Sequence, residues 1–136
     1  MKREILFRGK RKNGLWVYGS LVVSENINPA IYYESGGGLV KQLDWCYVGP
    51  DTIGQYTGLK DKNGKKIFEG DIVKGVSHKS DSCISELIPF DVIGVVGYHK
   101  EYQTLEVRTR QASLHIEVAI KGEVIGNIHD NPELIK

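Results

Sequence analysis

The 136-residue sequence predicts an all-β, mainly antiparallel protein with little helix. Short runs of β-branched and aromatic residues recur at a spacing of about 8–12 residues, which is typical of sandwiches and small barrels. Two Asn-Gly dipeptides, Asn13-Gly14 and Asn63-Gly64, are strong hairpin signals. No window of about eleven residues shows the 3.6-residue period of an amphipathic helix. Together these three observations favour antiparallel strand pairs over βαβ units.

The first half of the chain contains the clearest hairpin. We expect one strand over residues 4–8, an Asn-Gly turn, and an antiparallel strand over residues 15–23. Gly19 interrupts the second strand, which predicts a bulge or a close backbone contact there. A type I′ turn is expected at Asn63-Gly64. The other strands expected in this half cover residues 30–33, 39–48, 52–59 and 67–68.

The second half of the chain gives weaker signals. Residues 76–85 are polar and without a period, so we expect a loop. Between residues 104 and 110 the alternation places Glu106, Arg108 and Arg110 on a solvated face. A helical turn is expected to begin at Pro132. The strands expected in this half cover residues 72–73, 90–98, 104–110, 116–120 and 124–128.

Charge is distributed unevenly along the chain, although the formal net charge is only +1. Residues 1–74 hold 12 Lys and Arg against 8 Asp and Glu, whereas residues 75–136 hold 6 against 9. The best seam between the two parts lies near Glu69. We therefore predict an N-terminal β subdomain over residues 1–68 and a C-terminal β subdomain over residues 69–136, closely packed.

The composition is ordinary for a globular protein, with 40% hydrophobic and 26% charged residues. Cys46 and Cys83 form no CxxC pair, so we expect both to be free, small, buried or half-buried hydrophobes in a reducing compartment. No apolar run has the length of a signal peptide or of a membrane span. The sequence therefore predicts a cytoplasmic location and no membrane partner.

Several unbroken motifs identify a family. They are GQYTGL at residues 54–59, DKNG at 61–64 and EGDIV at 69–73, with further matches at residues 3–9 and 122–134. In these motifs the chain resembles the YopX family, small proteins encoded by bacteriophages and prophages. The resemblance implies an all-β fold, a C-terminal part similar to a small SH3-like barrel that starts near residue 69, and a bacterial host cell. It implies no catalytic residues.

No residue pattern predicts catalysis, a metal site or a cofactor. The histidines share no short metal-ligand spacing, and a chance cluster in a polar loop explains His78, Asp81 and Cys83. The glycines at 36–38 lack the GK[ST] ending and the helix of a phosphate loop. We therefore expect no enzymatic activity.

Two hypotheses about function remain open. The first is a protein-interaction module that self-associates, with Trp16, Tyr18 and Tyr56 as interface aromatics. The second is a nucleic-acid-binding accessory factor, because basic hairpin tips beside aromatic strands suit single-stranded nucleic acid. The basic residues of the two tips are Lys10, Arg11, Lys12, Lys60, Lys62, Lys65 and Lys66. A sequence pI of 7.8 lies below the value above ~9 that is usual for nucleic-acid binders, which favours the first hypothesis.

Overall fold

The computed structural model describes residues 3–81, 83 and 86–136. The chain divides into two compact units, Met1–Gly58 (unit 1) and Leu59–Lys136 (unit 2). The sequence predicts a boundary after residue 68, ten residues beyond the observed one. Helix in the described residues is limited to the short α1 (Glu117–Ile120) and to 3-10 turns at Pro50–Thr52 and Pro132–Ile135. The prediction of an all-β, mainly antiparallel protein is confirmed.

Unit 1 is built on antiparallel strands in the spatial order β4-β3-β2-β1-β5. The last strand, β5, continues across the boundary into unit 2. The strands are β1 (Phe7–Lys10), β2 (Trp16–Ser24), β3 (Ile27–Ser35), β4 (Gln42–Tyr47) and β5 (Gly54–Lys60). Each expected strand of this unit is present, because each combines a β-branched or aromatic run with a turn signal at its end, but β1 begins three residues later than expected.

The core of unit 1 lies on one face of this sheet. Val17, Ile31 and Val48 are buried there, and Leu21 and Cys46 pack against them. Because side chains alternate along a strand, the neighbours of these core residues on each strand point to the opposite face of the sheet, which we call the outer face.

Gly19 on β2 lies at a close approach between two strands, as its position in the sequence predicts. A Cβ atom built at Gly19 would lie 2.0 Å from the carbonyl oxygen of Tyr32 on β3. No side chain fits at this distance, so the pairing of β2 with β3 requires glycine at this position.

Unit 2 contains a five-stranded antiparallel sheet in the order β10-β9-β8-β7-β11. The edge strands β10 and β11 are not paired with each other in the described part of the chain, so this sheet does not close. The SH3-like barrel is therefore not confirmed. The strands of unit 2 are β6 (Lys66–Phe68), which follows β5, β7 (Asp71–Asp81), β8 (Glu86–His99), β9 (Thr104–Arg108), β10 (Ser113–His115) and β11 (Glu123–Asn127).

Three local expectations for unit 2 are wrong. Residues 76–81 belong to β7 and are not a loop, because β8 supplies a partner for every one of them. Residues 117–120 form α1 rather than a strand; α1 packs so closely on β7 that a Cβ at Gly75 would lie 2.6 Å from the Val118 carbonyl oxygen. Glu106 is buried and does not lie on a solvated face.

The core of unit 2 joins the sheet, β6 and α1. Its buried members are Ile67, Val73, Val96, Val107, Ile116 and Ala119. Burial of each valine or isoleucine of this cluster contributes roughly 1.5–3 kcal/mol relative to exposure.

Candidate functional site

Two backbone hydrogen bonds close the β1–β2 tip. The amide of Arg11 donates to the Leu15 carbonyl at 2.8 Å, and the amide of Gly14 donates to the Arg11 carbonyl at 2.9 Å. Gly14 has a φ of +87°, while Asn13 is not among the residues with positive φ. The tip is therefore a type I turn followed by a left-handed glycine rather than a type I′ turn.

Arg11 is directed toward the core side of unit 1. Its guanidinium donates to the Tyr33 hydroxyl at 2.5 Å and to Cys46 Sγ at 3.2 Å, and lies 5.3 Å from the centre of the Tyr33 ring. The hydrogen bond to Cys46 is the main cause that raises the pKa of Arg11. Of the basic residues predicted at this tip, Lys12 is exposed and Arg11 is used in internal contacts.

Trp16 lies on the outer face beside two cations. The guanidinium carbon of Arg8 is 4.9 Å from the Trp16 ring centre, and Nζ of Lys10 is 5.9 Å from it. Cation–π contacts of this kind fix both partners and are worth about 0.5–2 kcal/mol. Arg8 is itself buried.

The outer face also carries four further aromatic side chains, which we call the aromatic face: Tyr18, Tyr32, Trp45 and Tyr47. The register places Tyr32 opposite Trp45, and their rings stack with centroids 6.2 Å apart. Trp45 meets Tyr47 edge to face at 5.0 Å. Tyr18 lies two residues before Ser20, which is the β2 partner of Tyr32. The strand register thus gathers residues that are far apart in sequence.

The aromatic face is open to solvent. Tyr18 is 47% exposed, Trp45 49% and Tyr47 50%. Tyr56, which the sequence also suggested as an interface aromatic, is only 4% exposed, so we leave it out of this surface. Large aromatic side chains that stay half-exposed on one sheet face are typical of binding surfaces.

Charged side chains also lie on the outer face. Lys10 is on β1, whereas Glu34 is near the end of β3, on the same face as Leu43. Lys41 Nζ lies 3.9 Å from a Glu34 carboxylate oxygen, and both side chains are highly exposed. A mainly apolar centre with charges at its edge is the usual anatomy of a protein interface.

The β5–β6 tip in unit 2 is held by the buried carboxylate of Asp61. Its Oδ1 accepts hydrogen bonds from the amides of Asn63 and Lys65, both at 2.9 Å, and its Oδ2 accepts one from the amide of Val124 at 2.9 Å. Gly64 has a φ of +79°, while Asn63 is not among the residues with positive φ, so the expected type I′ turn is absent here too. The bonds from Asn63 and Lys65 favour the type I turn instead.

These hydrogen bonds also set the protonation of Asp61. Burial alone would raise its pKa, but the backbone donors Val124, Lys65 and Asn63 outweigh burial and hold the pKa below its ordinary value. The predicted lysines of this tip surround a rigid turn. Lys60, Lys62 and Lys65 are exposed, and Lys66 is half-buried.

Glu106 on β9 is a second carboxylate of unit 2 with little solvent contact, only 3% exposed. Its Oε1 accepts a hydrogen bond from Nη2 of Arg108 at 2.5 Å, and its Oε2 accepts one from the Ser113 hydroxyl. The Ser113 bond, followed by Arg108, lowers the pKa of Glu106, although burial acts in the opposite direction. The carboxylate therefore stays ionised beside Arg108.

Other expectations concern metals, cysteines and membranes. Within residues 3–81, 83 and 86–136, no three His, Cys, Asp or Glu side chains are close enough to hold a metal ion, and the Asp81 side chain lies outside the described part. Neither cysteine is in a disulfide bond; Cys46 is half-buried, but Cys83 is exposed. The described residues include no helix with the length and apolarity that a membrane span requires.

Sequence reasoning missed the main part of the aromatic face. Trp45 and Tyr47 alternate with half-buried residues along β4, a strand that the sequence predicts. This alternation is the sequence signal that the two residues share a face. Tyr32 joins them only through the β3–β4 register, which the sequence does not give.

The two units define an all-β protein of antiparallel strands, and the sheet of unit 1 carries an exposed aromatic face. Comparison with known families matches residues 6–136 to the family described as YopX protein. The chain belongs to the YopX family. This confirms the resemblance found in the sequence motifs.

Comparison with solved structures supports the same fold. The crystal structure of protein EF1440 from Enterococcus faecalis matches with a TM-score of 0.62 and 22% sequence identity, covering 99% of this chain and 100% of that one. An identity at this level supports the fold alone. No curated protein matches the chain.

Proposed function

We propose that this protein, of phage or prophage origin, is a non-catalytic interaction module whose aromatic face binds a second copy of the same chain. The observation that carries the proposal is the cluster of half-exposed Tyr18, Trp45 and Tyr47 around Tyr32 on one sheet face. Tyrosine and tryptophan are enriched among the residues that dominate protein-binding energy.

A second copy suits this face because a two-fold interface brings the same patch of both subunits together. The half-exposed Tyr18, Trp45 and Tyr47 of each copy would then be covered by the aromatic face of the other. A different protein partner is the other outcome that the experiment below distinguishes.

The test is the mass of the purified chain measured by light scattering over a range of concentrations. We expect the wild-type protein to associate and the double variant Trp45→Ala, Tyr47→Ala to be monomeric. The matched control is Tyr102→Ala, which removes an exposed tyrosine of unit 2 that is 76% exposed. We expect this control to associate like wild type. A monomeric wild-type protein at all concentrations contradicts the proposal and directs attention to a foreign partner. Turnover of a substrate by the purified chain would contradict its non-catalytic part.

A second candidate function rests on the β5–β6 tip. Lys60, Lys62 and Lys65 are exposed around a turn that Asp61 fixes, so three cations are presented without an ordering cost for the backbone. Such a tip suits the phosphates of single-stranded nucleic acid.

The salt dependence of binding tests this second candidate. Each phosphate contact with single strands contributes a slope of about −0.7 in a plot of log affinity against log salt. We expect replacement of all three lysines by alanine to reduce the slope by roughly two units. Replacement of Lys79, an exposed lysine elsewhere in unit 2, should leave it almost unchanged. An absence of binding at low salt, or an unchanged slope in the triple variant, contradicts this candidate.

A further inference from the structure

Unit 2 contains a groove of about 530 Å³ that none of the surfaces above uses. It is lined by residues 90–95 of β8, residues 108–112, Leu114 and residues 134–136. A volume of this size lies within the range of about 300–1,000 Å³ that is usual for ligand sites in proteins.

The groove has a partly exposed apolar lining. Phe90, Ile93 and Leu134 are large apolar side chains that remain exposed there. Apolar area of this kind contributes to binding when an occupant removes it from water, at roughly 25 cal/mol per Å². The lining therefore favours an occupant with an apolar side chain.

Arg108 enters the groove from a fixed position. The register places it opposite Val95 on β8 and opposite Ser113 on β10. The buried Glu106 accepts its Nη2 hydrogen bond at 2.5 Å, and Ser113 in turn bonds Glu106. A guanidinium has five N–H donors, so one bond to Glu106 orients the group without using all its donors.

Arg110 supplies a second guanidinium two residues further along. Its Nη2 and Nε donate to the Ile135 carbonyl at 3.3 and 3.4 Å. Among the residues that the structure describes, Arg110 forms no ion pair with a carboxylate. The acidic residue in the lining is Asp91. Arg110 is therefore held in place by a neutral acceptor rather than by an ion pair.

We infer that this groove binds an extended peptide segment of a partner protein, with a carboxylate next to an apolar side chain. The carboxylate bonds Arg110 and the remaining donors of Arg108, because guanidinium groups match carboxylates in geometry and charge. The apolar side chain covers Ile93 and Leu134. A half-open groove leaves one side of its occupant in solvent, which suits a peptide better than a small ligand that is buried by about 70–90%.

The inference goes beyond the proposed function, because the groove and the aromatic face belong to different units. The experiment selects peptides from a random display library on the purified full chain. A recovered peptide is then labelled and titrated by fluorescence anisotropy against wild type, Arg110→Gln and Ile93→Asp. The matched control is Lys79→Gln, which makes the same change of charge at an exposed lysine outside the groove.

We expect the recovered peptides to combine acidic and apolar residues. Their affinity should fall by about tenfold or more in Arg110→Gln and in Ile93→Asp, and stay unchanged in Lys79→Gln. Recovery of no peptide, of basic or neutral peptides, or of peptides that bind Arg110→Gln as tightly as wild type overturns the inference. Peptides that lose binding only in the Trp45→Ala, Tyr47→Ala variant overturn it too, and place the peptide on the aromatic face instead.

Discussion

The two hairpin tips have the same turn geometry but are stabilised in different ways. At the β1–β2 tip, Asn13 Oδ1 accepts one hydrogen bond from the Leu15 amide at 3.0 Å, and Arg11 reaches into the unit to Tyr33 and Cys46. At the β5–β6 tip, Asp61 accepts three backbone hydrogen bonds and is buried. Two Asn-Gly turns in one sequence can therefore differ in the hydrogen bonds that stabilise them, and in which of their basic side chains stay exposed to solvent.

Replacement of the side chains that organise the two turns should have unequal effects. Asp61→Ala leaves three amide donors without their acceptor, so we expect a loss of about 3 kcal/mol in the free energy of unfolding. Asn13→Ala removes a single exposed hydrogen bond and should cost about 0.5–1 kcal/mol. Urea unfolding of each variant measures both values. Equal losses in the two variants would show that Asp61 does not fix its tip in the way described.

The stability of the β5–β6 tip should depend on pH, because an ionisable carboxylate holds its turn. The amide of Asn13, which accepts a hydrogen bond at the β1–β2 tip, does not titrate. Asp61 has a folded-state pKa below its ordinary value, so its contribution to stability is complete above the unfolded-state pKa of about 3.9. That contribution is lost as the pH falls through the lowered folded-state pKa.

Unfolding of wild type and Asp61→Asn at a series of pH values measures this contribution. The difference in unfolding free energy between the two proteins should be constant near neutral pH and shrink below about pH 4. The other carboxylates titrate in both proteins, so they cancel in the difference. A difference that does not change with pH would contradict the assignment of the lowered pKa to Asp61.

Arg11 offers the smallest expected effect. Arg11→Gln removes the ring contact with Tyr33 and shortens the reach to Cys46, which should lower the unfolding temperature slightly. Lys12→Gln, at an exposed neighbour, is the control and should change stability by less than about 0.5 kcal/mol. Thermal unfolding followed by circular dichroism measures both. A similar effect of the two substitutions would mean that Arg11 is not tied into the unit.

Local chemistry determines which parts of the fold were predictable. The strands of unit 1 and the turn at Pro132 follow from alternation, turn residues and the fixed φ of proline. Gly19 was recognisable because a glycine inside a strand usually marks a bulge or a place where another backbone approaches closely. The type of turn at Asn63 could not be recognised in the sequence, because it depends on hydrogen bonds that Asp61 accepts from backbone amides, including the distant amide of Val124.

The features that sequence reasoning missed depend on partners far along the chain. The polar residues 76–81 become a strand only because β8 pairs with them. Residues 117–120 alternate like a strand but become helical where α1 packs against Gly75. Glu106 alternates like a surface residue, yet Arg108 and Ser113 cover it. The aromatic face likewise needed the register of β3 with β4.

The long pairing of β7 with β8 also has a consequence for the order of folding. Ten residue pairs join these strands, and the two members of the last pair, Asp81 and Glu86, are only five positions apart in the sequence. The pairing of β1 with β5, in contrast, joins Phe7 to Gln55. Loop-closure entropy rises with the length of chain enclosed, and isolated hairpins form in about 1–10 μs. The β7–β8 hairpin is therefore the element most suited to form first, with the far-separated strand pairs closing later and setting the overall folding rate.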